Sequence, residues 1–405
     1  MSGFREVRLG DVLMFQRGFD ITKNDQSVGN VPIVSSSGVS SFHDKWQVKG
    51  PGVVIGRKGT LGTVHFISSN YWPHDTTLWV KDFKGNDPRF LHYFIQTLKL
   101  ENFDVGASNP TLNRNHIHRI KILFPKDIDT QRKISAILAG YDDLIEINKK
   151  RIMVLEKLAE EIYREWFVRL RFPGYASTTV VKGLPQGWTL EKLEHAFKFT
   201  GGGTPSREVG RFWTDGDINW FTPSDITGGE GIFLERSGEK ITEEGFKNSS
   251  AKMFPPYSLM LTSRATIGAI GINLTLACTN QGFISCIPNA QYPLPYLYHW
   301  LKLAKQHFES LAGGATFAEL TKGTFKRIEI LTPPEPIVQE FARIEMPLME
   351  AIEFYVRANG KLIETKGKLL SRLVSGKLSV QNLDIQLRSD MAEELKVEPG
   401  VAVRA

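Results

Sequence analysis

Cysteine is nearly missing from this chain: only Cys278 and Cys286 occur among 405 residues. Two thiols are too few for a disulfide framework, and no neighbouring His or Cys supplies the spacing of a zinc site. A reduced, cytoplasmic setting is therefore expected. The nine histidines are scattered without ligand spacing, so no metal centre is expected either. Long apolar runs are also lacking. The most apolar stretch, Gly268 to Cys278, is short and interrupted by Asn273 and Thr275, which suits a buried strand or hairpin and not a membrane span. The first residues carry Arg5, Glu6 and Arg8 with no apolar segment behind them, so no secretory signal is expected.

Signatures of catalysis fail in turn. No glycine fingerprint follows a strand in the manner of a dinucleotide or methyl-donor pocket. Gly360-Lys361-Leu362 and Gly376-Lys377-Leu378 lack the upstream Gly and the Ser/Thr of a phosphate-binding loop. No Asp…Glu-x-Lys core marks a nuclease. Phe254-Pro255-Pro256-Tyr257 has the outline of the Asn-Pro-Pro-Tyr loop of amino-methyltransferases, but Phe254 cannot supply the amide that holds the target amino group. The chain reads as non-catalytic, with no cofactor of its own.

What is present is ordinary globular material: 41% hydrophobic and 23% charged residues, enough in length for two or three domains. Lys and Arg number 50 against 44 Asp and Glu, a net charge of +6. That excess mildly favours a polyanionic partner.

The chain repeats at about half its length. Val53-Val54-Ile55-Gly56-Arg57-Lys58-Gly59-Thr60-Leu61-Gly62 is an apolar strand followed by a basic-x-Thr-x-Gly turn, and Leu259-Met260-Leu261-Thr262-Ser263-Arg264-Ala265-Thr266-Ile267-Gly268 has the same form about 206 positions later. Arg89-Phe90-Leu91 matches Pro295-Tyr296-Leu297, each opening an aromatic-rich helix. Gly106-Ala107-Ser108 matches Gly314-Ala315-Thr316, and Arg119 to Pro125 matches Arg327 to Pro333. Four matches in one order indicate duplication.

Each copy ends in a long helix. Ile134, Leu138, Tyr141, Ile145, Asn148, Ile152, Leu155, Ala159, Ile162 and Trp166 form a heptad seam. Asp127 and Asp129 sit at its start, where the helix dipole favours negative charge. The second seam reads Phe341, Ile344, Leu348, Ala351, Tyr355, Ala358, Leu362, then Leu369 and Leu373, with a kink expected near Pro347. Two such seams most simply bury each other as an antiparallel pair, although each could serve a partner helix. Asn148 is either a register device or a solvent-facing residue at a splay.

Candidate contacts lie in the polar turns, because loops on a scaffold carry most recognition. Arg57, Lys58 and Thr60, and Thr262, Ser263, Arg264 and Thr266, combine cations for phosphate with hydroxyls and small residues; each turn alone could equally be a solvated hairpin. Asn109, Asn113 and Arg114 are side chains able to read base edges. Gly201-Gly202-Gly203-Thr204-Pro205-Ser206-Arg207 with Arg211 is a glycine-rich basic loop, for which the first copy has only Arg17-Gly18-Phe19-Asp20.

These residues together identify a resemblance. Over residues 1 to 380 the chain resembles the specificity (S) subunit of Type I restriction-modification enzymes. The two basic-x-Thr-x-Gly turns, Thr200 to Ser206, Asn280-Gln281-Gly282, and the helical stretches Pro125 to Phe167 and Thr332 to Leu378 carry it. The resemblance implies an α+β fold: two tandem target-recognition domains, mixed α/β and strand-rich, separated by two long antiparallel coiled-coil helices with internal pseudo-two-fold symmetry. Its parts would be residues 1–126 and 173–334 (recognition domains), 127–172 and 335–380 (helices), and a tail, 381–405. It implies a double-stranded DNA target in two unlike halves, with the helical pair setting their spacing. It also implies two modification (methyltransferase) subunits docked on the helices and up to two restriction subunits. S-adenosylmethionine, ATP and Mg would belong to those partners. Asn280, Gln281 and Thr316 join the candidate contacts on this basis. The first domain departs from the pattern in lacking the Gly-Gly-Thr-Pro-Ser loop and in carrying His74-Asp75-Thr76 at the place of Asn280-Gln281-Gly282, so its half-site should differ. The alternatives are the specificity part of a fused restriction-methyltransferase, a self-sufficient DNA adenine methyltransferase, or a coiled-coil scaffold that binds no DNA.

Overall fold

The structure, a computed structural model, describes residues 3–103, 111–229, 231–313 and 318–386. The chain forms two compact units: residues 1–146 with 360–405, and residues 147–359. Each unit therefore takes one globular domain together with part of each long helix.

In the first unit the strand Phe4–Arg8 pairs antiparallel with Lys121–Pro125, closing the domain on itself. A four-stranded sheet runs in the order Met14–Arg17, Thr77–Asp82, Gly52–Gly56, Val64–Ile67. Its strand Gly52–Gly56 is buried along its whole length, which is why the sequence there is continuously apolar instead of alternating. A smaller sheet places Val31–Ser35 between an antiparallel neighbour, Gly38–His43, and a parallel one, Trp72–Pro73. Helix Pro88–Gln96 covers the core: Asp87 caps it by accepting from Phe90 N at 2.6 Å, Pro88 opens it, and Phe90, Leu91, Tyr93, Phe94 and Ile95 point inward. Each such buried side chain contributes about 1.5–3 kcal/mol.

The second unit repeats this plan. Thr189–Lys192 pairs with Glu329–Thr332, and Lys198–Gly201, Phe283–Ile287, Leu259–Thr262 and Ile270–Asn273 take the same order, with Phe233–Leu234 added at the edge. Ile218–Phe221 again has an antiparallel neighbour, Glu239–Ile241, and a parallel one, Ala277–Thr279. Helix Leu294–Leu303 corresponds to Pro88–Gln96. The duplication extends well beyond the matches visible in the sequence. One of those matches, Gly106-Ala107-Ser108 with Gly314-Ala315-Thr316, lies outside the described residues.

The long helices run over Ile128–Tyr163, continued by a π turn at Arg164–Val168, and over Glu335–Val374. Asp127 caps the first, accepting from Asp129 N and Thr130 N. The second is unbroken through Pro347, Gly360 and Gly367, all three on its exposed side. In the first unit Ile134 and Leu138 share a core with Leu373 and Val374, and Lys366 pairs with Asp142 at 2.5 Å. In the second, Ile152 and Tyr163 share one with Phe341, Met349 and Ile352. Low numbers on one helix meet high numbers on the other, so the pairing is antiparallel.

Ile134, Leu138, Ile145, Asn148, Ile152 and Ala159 are buried, whereas Tyr141 and Leu155 are partly so. Towards the end of the first helix the buried face moves one residue on, to Tyr163 and Phe167, and Ile162 and Trp166 flank it. A straight helix drifts about 20° per heptad from a 3.5-residue repeat, and four heptads move the face by nearly one residue. The second seam is displaced similarly: Val338, Phe341, Glu345, Met349, Ile352 and Asn359 are buried, while Ile344, Leu348, Tyr355, Leu362 and Leu369 are half-buried. The charge of Glu345 hid this register from a hydrophobic count.

Asn148 faces inward. Its Nδ2 donates to Asn359 Oδ1 at 2.9 Å, both residues being buried, so it does not face solvent at a splay; a buried pair of this kind suits a register device. Glu345 lies 3.0 Å from His299 Nε2 with both side chains out of solvent. Burial pushes the Glu345 carboxyl above its usual range despite the His299 bond. Cys278 and Cys286 are buried free thiols, and burial pushes Cys278 up to about 12. Among the described residues no helix is long and apolar enough to cross a membrane.

Two outcomes follow from these buried polar contacts. Asn148→Ala should cost about 1–3 kcal/mol in urea unfolding, because the Asn359 amide loses this buried partner, whereas the double substitution of both residues by Leu should recover most of that loss. A raised carboxyl contributes stability that is present below the ordinary carboxylate range and lost as pH rises through its folded value. As pH rises from the ordinary carboxylate range, stability should accordingly fall less steeply for Glu345→Gln than for the wild type; the raised Glu156 and Asp87 carboxyls leave a residual slope.

Candidate nucleic-acid interface

A central strand buried along its whole length must turn sharply where it leaves the core, and its backbone groups must find partners there. After Gly52–Gly56 the turn closes through Gly56 N to Thr63 O (2.8 Å) and Gly62 N to Gly56 O (3.0 Å). After Leu259–Thr262 it closes through Thr262 N to Ala269 O and Gly268 N to Thr262 O, both 2.9 Å. Gly59 and Gly62 have φ of +75° and +73°; Ala265 and Gly268 have +57° and +84°. The turns are the same, and only the second puts a Cβ in the left-handed region.

Backbone bonds sew each turn to two neighbouring loops. Arg57 N and Lys58 N both donate to Thr76 O, at 2.9 and 3.0 Å, and Ser263 N donates to Gly282 O at 2.8 Å. On the other side Leu112 N donates to Arg57 O and Leu320 N to Ser263 O, so that Lys58 bridges Thr111 and Arg264 bridges Glu319. A fourth loop crosses at a glycine. A Cβ on Gly18 would meet His74 O at 2.1 Å, and one on Gly202 would meet Asn280 O at 1.9 Å. Of the three glycines in Gly201-Gly202-Gly203, Gly202 thus has its counterpart in Gly18, within the two loops that the sequence sets at comparable places. Each domain gathers four loops on one face.

Their side chains differ. In the first domain Arg17 Nη2 is 2.8 Å from Asp75 Oδ2, and His74 Nδ1 is 3.2 Å from Asp75 Oδ1. Arg57 lies alongside; burial pushes its guanidinium down, Arg17 adds to the shift and Asp75 opposes it. Asp20, His74 and Asp75 bring ligand atoms within 4.8 Å of one another, but Asp75 is already engaged by Arg17, whose charge serves where a cation would. Lys58 makes no ion pair among the described residues, and Thr60 is exposed beside it. In the second domain Thr204 Oγ1 donates to Gln281 Oε1 at 2.6 Å and Asn280 Oδ1 accepts from Gly282 N at 2.9 Å. Arg207 grips Glu239 at 2.5 and 2.8 Å and stacks 3.8 Å over the Trp213 ring, while Trp213 Nε1 donates to Ser206 O. Arg211 pairs with Glu244 and Arg264 with Glu319, at 2.8 and 2.9 Å. Thr266 is exposed at the tip.

Some candidates have other roles. Thr262 and Ser263 are buried, and the Thr262 hydroxyl bonds to Thr266 O and Ala269 O inside the turn; they build the turn and do not reach outward. Asn113 spends its Oδ1 on Asn115 N as a helix cap, and Arg114 follows it, exposed. Asn109 and Thr316 lie outside the described residues. No pattern in the sequence marks Glu239, Glu244 and Glu319, each of which holds an arginine; Asp75 is marked only by its alignment with Gln281.

The comparisons with known proteins agree. The family described as Type I restriction modification DNA specificity domain matches residues 1–157 and 185–354. The chain is 34% identical over 181 residues, 44% of its length, to the Type I restriction enzyme MjaIX specificity subunit of Methanocaldococcus jannaschii, and spans only 42% of that protein. It is 23% identical over 331 residues to the Type I restriction enzyme HindI specificity subunit of Haemophilus influenzae, covering 66% of this chain and 71% of that one. The crystal structure of the Type I restriction-modification S subunit from M. genitalium shares the fold with a TM-score of 0.61 at 16% identity, over 92% of this chain and 96% of the other. The duplicated domain, the paired long helices and the family match over most of the chain lead to one conclusion: this protein belongs to the Type I restriction-modification DNA specificity family.

Proposed function

We propose that the chain reads a bipartite, asymmetric DNA sequence, one half with each domain, for a Type I restriction-modification complex. The observation that carries this reading is a common backbone frame bearing two unlike sets of side chains. Arg17, Lys58, His74 and Asp75 stand in the first domain where Gly201, Arg264, Asn280 and Gln281 stand in the second. Equal frames suit equivalent groove faces of a duplex, and unlike side chains suit unlike bases.

Methylation and cleavage then belong to partners: two modification subunits carrying S-adenosylmethionine, and up to two restriction subunits using ATP and Mg. The helices offer a surface for them. In the second unit Ile147, Met153, Val154, Leu158 and Phe354 are exposed large apolar residues. Beside them a groove of about 420 Å³ is lined by Ile147, Lys150, Arg151, Val154, Leu155 and Tyr355. Exposed apolar patches of this kind mark protein interfaces.

The complex assembled with its modification subunit should bind duplex DNA with strong salt dependence. Lys58→Ala should weaken binding several-fold and lower the salt slope by about 1, as expected for one lost phosphate contact, in fluorescence anisotropy titrations; unchanged affinity and slope would remove the turn from the interface. Titration of the purified chain with S-adenosylmethionine should give no heat, and clear binding would favour a self-sufficient methyltransferase.

A further inference from the structure

The repeat provides an internal comparison at the tip of the basic turn. On the same backbone frame, Lys58 bridges Thr111 in the first domain and Arg264 bridges Glu319 in the second. Among the described residues only the second places a carboxylate beside its cation, with Arg264 Nη2 2.9 Å from Glu319 Oε1. The pair reaches solvent, the side chains being 49% and 35% exposed, and ion pairs this open contribute little to stability. The next residue, Ala265, holds a φ of +57° where the first domain has Gly59. Local strain of this kind is kept where it positions a functional group, and here it presents Arg264 at the turn's exposed tip.

A carboxylate on a surface that approaches phosphates is unfavourable unless it meets a donor. A G·C pair offers one in the major groove, where guanine presents O6 and N7 as acceptors beside the N4 amino donor of cytosine. An arginine next to a carboxylate presents the complementary order, donor then acceptor, at hydrogen-bond spacing. An A·T pair sets its N6 donor against the arginine and its O4 acceptor against the carboxylate. A T·A pair leaves the arginine a single acceptor. We propose that Glu319 is a specificity-determining residue of the second domain, and that Arg264 and Glu319 together read one G·C pair. Arg264 donates to guanine O6 and N7, and Glu319 accepts from cytosine N4. This rests on the DNA-reading function proposed above.

Single-molecule methylome sequencing of cells expressing the chain with its modification subunit tests it. The wild type should yield a split motif with a required G·C pair in one half. Glu319→Ala should relax that position, raising methylation of sites substituted there about tenfold relative to the wild type, and Glu319→Gln should newly admit T·A, where Arg264 meets thymine O4 and the amide meets adenine N6 and N7. The other half-site should stay unchanged in the same molecules, which also shows that the variant complex folds and assembles. The proposal is overturned if both variants leave every position as in the wild type, if they raise methylation uniformly at all sites, or if they abolish it everywhere while the complex remains assembled. A wild-type complex that methylates no motif would overturn the DNA-reading function itself, a separate result.

Discussion

The rest of each domain depends on how the turn after its central strand satisfies its own backbone. Gly52–Gly56 and Leu259–Thr262 are buried along their whole length, so the chain leaves the core with peptide groups that must be paired at once. It pairs them with two neighbouring loops, through Thr76 O and Arg57 O in one domain and Gly282 O and Ser263 O in the other. That requirement draws residues distant in sequence onto one face. The glycine crossing at Gly18 and Gly202 completes the gathering, since any Cβ there would collide with the loop beneath. The frame is thus fixed by backbone hydrogen bonds and close packing, and the outward side chains are left free to vary between the two copies.

Charge on these faces is organised more by pairing than by number. Arg17, Arg207, Arg211 and Arg264 each meet a carboxylate, which fixes the direction of a long side chain at the cost of part of its positive field. Arg207 is held further by the Trp213 ring, the geometry in which a guanidinium outperforms an ammonium. Lys58 has no such restraint among the described residues. A net charge of only +6 is therefore compatible with a nucleic-acid partner, because directed donors and not bulk charge would distinguish bases.

The paired helices show the same economy. Apolar side chains form most of the seam, while Asn148 with Asn359 places a polar contact inside it, and Glu345 of the second helix meets His299 of the domain helix Leu294–Leu303. The Asn148–Asn359 bond is made in only one alignment of the two helices, whereas Leu and Ile tolerate a slip of register. Burial raises the Glu345 carboxyl despite the His299 contact, so that pair is the pH-sensitive one of the two.

Much of this was legible in the residue order. The duplication, the two basic turns, the long helices and the place of Gly18 opposite the triple glycine all follow from local pattern, since strand runs, left-handed glycines and heptads leave periodic marks. The displaced second seam did not, because a charged Glu345 can sit in a core position only when His299, 46 residues away in sequence, meets it. Nor could the order of residues tell that Thr262 and Ser263 face inward, or that Asp75, Glu239 and Glu319 hold the arginines. By itself the sequence determined the repeated plan, the kinds of loop and the basic residues they carry. Only the tertiary structure decided which of those side chains reach out and which carboxylates answer them, because long-range backbone pairing brings such partners together and leaves no period in the chain.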